Sequence, residues 1–148
     1  MSIQSYILYA DDDSDDQAIL KECMRRAAPA TDLYCFENGL LLFRYLEDLT
    51  PGALLPACIV LDMNMPVWTG LETLAALKHE PCYQSIPAFI FSTAPEEAEK
   101  KGTGLPGAEA YIAKPYAQTD LFKVCQEFAE YANGRTRLKD VPYKTSLH

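Results

Sequence analysis

No apolar run in this sequence comes near the roughly 20 residues that a bilayer-spanning helix needs, because charge or proline interrupts every candidate. Residues 1–10 also lack a basic segment, a long apolar stretch and a small-residue cleavage site. That argues against a secretory signal and against membrane insertion. Cysteine pairing is missing too. The five cysteines (Cys23, Cys35, Cys58, Cys82, Cys125) are scattered, odd in number and without a CxxC pair. This speaks against a zinc cluster or a disulfide framework and suits a reducing cytoplasm; most of the five read as small buried hydrophobes. Positive charge is scarce: 13 Lys and Arg stand against 21 Asp and Glu, a net charge of −8. Such a chain repels nucleic-acid phosphates, so no nucleic-acid partner is expected. Arg135, Arg137, Lys139 and Lys144 near the end are a local exception, which a solvated, frayed terminus accounts for.

What is present is ordinary globular material. The 148 residues, 49% apolar and 23% charged, suffice for one well-buried core in one soluble domain. Short apolar runs alternate with amphipathic segments five times. Residues 5–10 (SYILYA), 57–61 (ACIVL) and 88–91 (AFIF) read as strands of a sheet covered on both faces. Residues 32–36 (DLYCF) and 110–113 (AYIA) are the weaker second and fifth strands. Between them, Ser14 is the expected N-cap of a first helix that Pro29 stops. A second helix spans 40–49 and a third spans 71–79 behind a Thr69 cap. A fourth, 95–101, begins on Pro95 followed by two acids, both favoured where helix N–H groups are unpaired. Thr119 caps the last helix, where Leu121, Phe122, Val124, Cys125, Phe128 and Tyr131 trace one apolar stripe. Right-handed crossovers turn this (βα)₅ pattern into a doubly wound α/β three-layer sandwich around a five-stranded parallel sheet. Ligands in such folds bind beyond the carboxyl ends of the strands, near the switch in strand order.

The residues at those ends are of a limited kind. After the first strand come Asp11, Asp12, Asp13, Ser14, Asp15 and Asp16; after the third comes Asp62; after the fourth come Ser92 and Thr93; after the fifth comes Lys114, then Pro115. Converging carboxylates repel unless a cation neutralises them, and hard oxygen donors suit Mg²⁺ or Mn²⁺. A carboxylate can act as a nucleophile towards phosphorus, with a metal, an ammonium and a hydroxyl offsetting the charge in flight. Read singly, each residue is bland. Asp13, Asp15 and Asp16 are solvated acids at a helix start, Asp62 a turn residue, Ser92 and Thr93 caps, Lys114 a surface lysine. At successive strand ends of one fold they point together to phosphoryl transfer.

Four motifs carry a resemblance to the receiver domain of two-component response regulators: Ala10-Asp11-Asp12-Asp13, Leu61-Asp62-Met63-Asn64-Met65-Pro66 with Gly70, Ile86-Pro87-Ala88-Phe89-Ile90-Phe91-Ser92, and Tyr111-Ile112-Ala113-Lys114-Pro115. The matching span is 5–131, and the resemblance implies a flavodoxin-like fold. It implies that Asp62 takes a phosphoryl group from a sensor histidine kinase or a histidine phosphotransfer protein. Mg²⁺, with Mn²⁺ as the alternative, would be held by Asp12 and Asp62 directly, by Asp11 largely through water, and by the backbone carbonyl of Asn64. Ser92 and Lys114 would meet the phosphoryl oxygens, with Thr93 beside them, and the Lys114–Pro115 bond would be cis. Tyr111 would be the aromatic switch whose ring follows Ser92.

Departures from the family pattern are Thr69 before Gly70 and the unusual Trp68, which would shade the site or contact a partner. The receiver would occupy 1–132, with 133–148 a short tail carrying no output domain. Output would then be a protein contact through the face of the fourth helix, fifth strand and fifth helix. Kinase pairing would depend on exposed first-helix residues such as Gln17, Lys21, Met24 and Arg25. A receiver has no small-molecule product cycle of its own, so it is not classed as an enzyme. Two alternatives are a degenerate receiver acting as a phosphorylation-independent interaction module, and a phosphatase of the haloacid dehalogenase type. The first is disfavoured by the presence of Asp11, Asp12, Asp62, Ser92 and Lys114, the second by the contexts of Asp62 and Lys114.

Overall fold

A computed structural model describes residues 5–105, 107–134 and 144–146. The chain alternates β1 (Ser5–Ala10), α1 (Ser14–Ala27), β2 (Thr31–Phe36), α2 (Gly39–Glu47), β3 (Cys58–Asp62), α3 (Gly70–His79), β4 (Ala88–Ser92), α4 (Pro95–Lys101), β5 (Ala110–Ala113) and α5 (Gln118–Ala132). These five parallel strands and five helices are the expected (βα)₅ sandwich, with the sheet in the order β2-β1-β3-β4-β5. Because side chains alternate across a strand, the sheet feeds two separate cores. On one face Leu8, Ala10, Ile59, Leu61, Ile90 and Tyr111 meet Leu42 and Leu46 of α2, Leu71 and Leu74 of α3, and Ala98 of α4. On the other, Ile7, Tyr9, Val60, Phe89, Phe91 and Ile112 meet Leu20 and Met24 of α1 and Leu121, Val124 and Phe128 of α5. β3 and β4 are buried along their whole length, as continuous apolar runs in a two-sided sheet must be.

Helix ends follow local hydrogen bonding. Asp13, not Ser14, is the N-cap of α1, its carboxylate accepting from the Asp15 and Asp16 N–H groups; an ionised oxygen is the stronger acceptor at the positive end of a helix. Thr69 caps α3 as expected, in a reciprocal box with Glu72. Thr119 does not cap α5; it lies inside that helix, whose N-cap is Ala117 with no side-chain bond.

At residues 144–146 the chain departs from the frayed terminus expected there. A sixth strand, β6 (Lys144–Ser146), lies antiparallel on β5, pairing Ile112 with Lys144 and Ala110 with Ser146. An edge strand offers unpaired backbone groups, and a returning tail can satisfy them. Arg135, Arg137 and Lys139 lie outside the described residues. Cys58 and Cys125 are buried, whereas Cys82 is exposed. Among the described residues, no helix is long and apolar enough to cross a membrane.

Candidate functional site

The strand order reverses between β1 and β3, and this is where the acids collect. Ala10 pairs in register with Leu61, so Asp11 and Asp12 emerge beside Asp62. Carboxylate oxygens of Asp11, Asp12 and Asp62 lie within 4.8 Å of one another. From the far side of the sheet, Lys114 at the end of β5 places its Nζ 2.8 Å from Asp11 Oδ2 and 2.7 Å from Asp62 Oδ1. A third partner is Asp16 in the first turn of α1, with Oδ2 at 3.2 Å. The ammonium also stands 5.9 Å from the centroid of the Phe91 ring, a cation–π contact.

Asp11 is the most enclosed of these acids, at 1% exposure. Its Oδ1 accepts the Asp13 N–H at 2.9 Å, and its Oδ2 accepts the Tyr9 hydroxyl at 2.5 Å as well as the lysine. Asp12 is exposed. Burial pushes the Asp62 carboxyl above the usual carboxylate range; Lys114 opposes this, while Asp11 and Asp12 reinforce it. Burial by itself would depress the Lys114 ammonium, but its bonds to Asp11 and Asp62 overcome that and hold it above its ordinary value. The two shifts differ in balance because one ammonium is shared among several carboxylates, each receiving only part of its charge. Three carboxylates (Asp11, Asp16, Asp62) therefore share one cation, and the fourth, Asp12, lies beside Asp11 and Asp62. The surplus negative charge and the all-oxygen donor set fit a hard divalent ion.

Ser92 is buried beside this cluster, its Oγ accepting the Ala94 N–H at 3.0 Å, and its carbonyl takes the Lys114 N–H at 2.8 Å. Thr93 and Asn64 are exposed at the same end of the sheet. Tyr111 is fully enclosed in the core beneath α4. Pro115 is half-buried, and its bond to Lys114 is trans, not cis; trans is the more stable isomer before proline as elsewhere.

The family model described as a response regulator receiver domain matches residues 7–126. The chain belongs to this family. The receiver is 26% identical over 122 residues to the response regulator Rcp1 of Synechocystis sp., covering 81% of this chain and 83% of that protein. It is 30% identical over 116 residues to the transcriptional regulatory protein PrrA of Mycobacterium tuberculosis, 78% of this chain but 46% of PrrA. Among solved structures, the phosphorylated cyanobacterial phytochrome response regulator RcpA matches with a TM-score of 0.75 at 23% identity, over 88% of this chain and 95% of that one. The Mn(2+)-bound form of Rcp1 matches with a TM-score of 0.70 at 25% identity, over 85% and 92% of the two chains.

The receiver holds the end of β3 against α3 through Gly70. A Cβ there would lie 2.4 Å from the Asp62 carbonyl oxygen and 3.1 Å from Met63 Cα. The Gly70 N–H in turn donates to the Met63 carbonyl at 2.9 Å. Between them, Val67 sits at φ 69°, a region β-branched residues rarely enter. Trp68 packs edge-on against Phe43 of α2, with ring centroids 5.6 Å apart.

Two site residues do not stand out in the sequence. Asp16 reads there as one more solvated acid, yet it bonds Lys114. Tyr9 reads as an apolar strand residue, yet its hydroxyl reaches Asp11. The signals that could find them are spacings: Tyr9 shares a strand face with Asp11, and Asp16 stands four residues beyond Asp12. The first-helix surface is exposed as expected at Lys21 and Arg25 and differs from expectation at Met24 and Gln17. Met24 faces the core, and the Gln17 amide donates to the carbonyls of Asp11 and Phe36. Arg25 pairs with Glu22 at 2.7 Å, while Ile19 is 53% exposed.

Proposed function

We propose that this receiver accepts a phosphoryl group on Asp62 from the phosphohistidine of a sensor kinase or phosphotransfer protein, in a reaction that requires Mg²⁺. The observation that carries this reading is the convergence of Asp11, Asp12 and Asp62 within 4.8 Å, with Lys114 spanning Asp11 and Asp62. An Asp62 oxygen forms the new bond to phosphorus as the bond to the histidine nitrogen breaks, giving an aspartyl phosphate. Asp12, Asp62 and the Asn64 backbone carbonyl would hold the ion, with Asp11 acting largely through water; the ion supplies charge neutralisation for the phosphoryl oxygens. Lys114 pairs with one phosphoryl oxygen while Asp11 and Asp16 keep it in place. Ser92 leaves the Ala94 N–H to donate to another, and the inward Tyr111 ring supports a face of α4, β5 and α5, whose β5 edge carries β6, as the one that passes the state to a protein partner. Thr93 and Pro115 line the rim. That the related protein Rcp1 has a Mn(2+)-bound form supports a divalent ion at the acids of this chain.

Intact mass after incubation with Mg²⁺ and acetyl phosphate tests the reading. One metal-dependent phosphoryl adduct (about 80 Da) is expected, and Asp62→Asn should remove it. Failure to form the adduct, together with failure to bind beryllofluoride, would leave a phosphorylation-independent interaction module.

A further inference from the structure

β1 carries two buried tyrosines whose hydroxyls solve the same problem differently. A buried phenol must find an acceptor. Tyr6, on one face of the strand, donates to the Leu54 carbonyl at 2.5 Å, far from the acids. Tyr9, on the other face and 1% exposed, donates at 2.5 Å to Oδ2 of Asp11. Its ring packs edge-on against Phe91, with centroids 6.3 Å apart.

The consequence falls on Asp11. Three donors from three parts of the chain fix its carboxylate: the Tyr9 hydroxyl from β1, the Asp13 N–H from the following loop and Lys114 from β5. Two of them share Oδ2. A phenol donating to that oxygen draws off part of its charge and weakens its pull on Lys114, whose other short contact is Asp62 Oδ1 at 2.7 Å. Without the phenol, Asp11 would keep only the Asp13 N–H and Lys114, and Lys114 would be drawn more fully onto it. Carboxylates that ligate a metal are themselves held by outer hydrogen bonds, and loss of such a partner costs about 10–100-fold in metal affinity; Asp11 acts largely through water, so the low end of that range is expected here.

We infer that Tyr9 is a positioning residue of the divalent-ion site, acting through its hydroxyl on Asp11 and not on the ion itself. The inference rests on the reading of Asp11, Asp12 and Asp62 as that site.

The test is calorimetric titration of the metal-free full chain with MgCl₂, comparing the parent with Tyr9→Phe, Tyr6→Phe and Asp12→Asn at a temperature where all are folded. Tyr9→Phe keeps the ring and its packing and removes only the donor. A dissociation constant raised about tenfold in Tyr9→Phe, with Tyr6→Phe binding like the parent, supports the positioning role. Unchanged affinity in Tyr9→Phe overturns it, as does an equal loss in Tyr6→Phe, which would signify a general effect on β1. If the parent takes up no Mg²⁺, or Asp12→Asn binds as well as the parent, the site reading itself falls, and the inference with it.

Discussion

The proposed role of Asp62 as a nucleophile requires it to be ionised, yet its surroundings resist ionisation. Burial raises its carboxyl above the usual range, and Lys114 only partly offsets this. For an acid raised in the folded state, the charged form costs stability. That cost is absent below the ordinary carboxylate pKa, grows as pH rises, and is complete above the folded pKa. Asp62→Asn should therefore melt a few degrees higher than the parent in EDTA at neutral pH. The gap should close as the pH is lowered into the ordinary carboxylate range. Thermal melts across that pH series measure it, and a parent that melts higher than the variant at neutral pH would show that Lys114 outweighs burial. Asp11, Asp12, Asp62, Ser92 and Lys114 were legible as types at strand ends. Tyr9 and Asp16 were not, because a tyrosine in a strand and an acid at a helix start have commoner uses, and only side-chain direction separates these two from the rest.

At the scale of elements, the join between β3 and α3 sets where Asp62 sits. Gly70 lets the helix start press against the Asp62 carbonyl, which is backbone and has no side chain to swing aside. Gly70→Ala should cost about 1–3 kcal/mol in urea unfolding, the usual penalty for overpacking. It should also lower adduct formation on Asp62 several-fold, since the end of β3 must shift. Normal stability with a normal adduct would mean that α3 can slide without disturbing the acceptor. Strand and helix identities were readable from periodicity, and the Thr69 cap from its spacing to Glu72. The start of α5 was not, because it forms on Ala117 with no capping side chain and is held by packing of Leu121, Val124 and Phe128. β6 was also not readable: its three residues have no pattern of their own and owe their strand form to the open edge of β5.

For the molecule as a whole, folding and ion binding at the proposed site would reinforce each other. An ion that binds only the native state adds RT ln(1 + [L]/Kd), about 2.7 kcal/mol at a hundredfold excess over Kd. Mg²⁺ should raise the thermal midpoint and EDTA should reverse the rise. The increment should shrink as pH falls through the raised Asp62 carboxyl, because protons compete for the same oxygen. Melting with and without Mg²⁺ across pH checks this, and a pH-independent increment would place the ion elsewhere.

The sequence by itself determined the alternation of strands and helices, the parallel sheet that follows from it, and which residue types stand at the strand ends. These depend on local periodicity and on the rule that crossovers are right-handed. Only the tertiary structure decided that Lys114, 103 residues from Asp11, bonds Asp11, Asp16 and Asp62 together, that Tyr9 completes the cluster, and that Met24 faces inward. Those outcomes turn on the register between strands and on the direction each side chain takes from its backbone, which form only when distant segments pack.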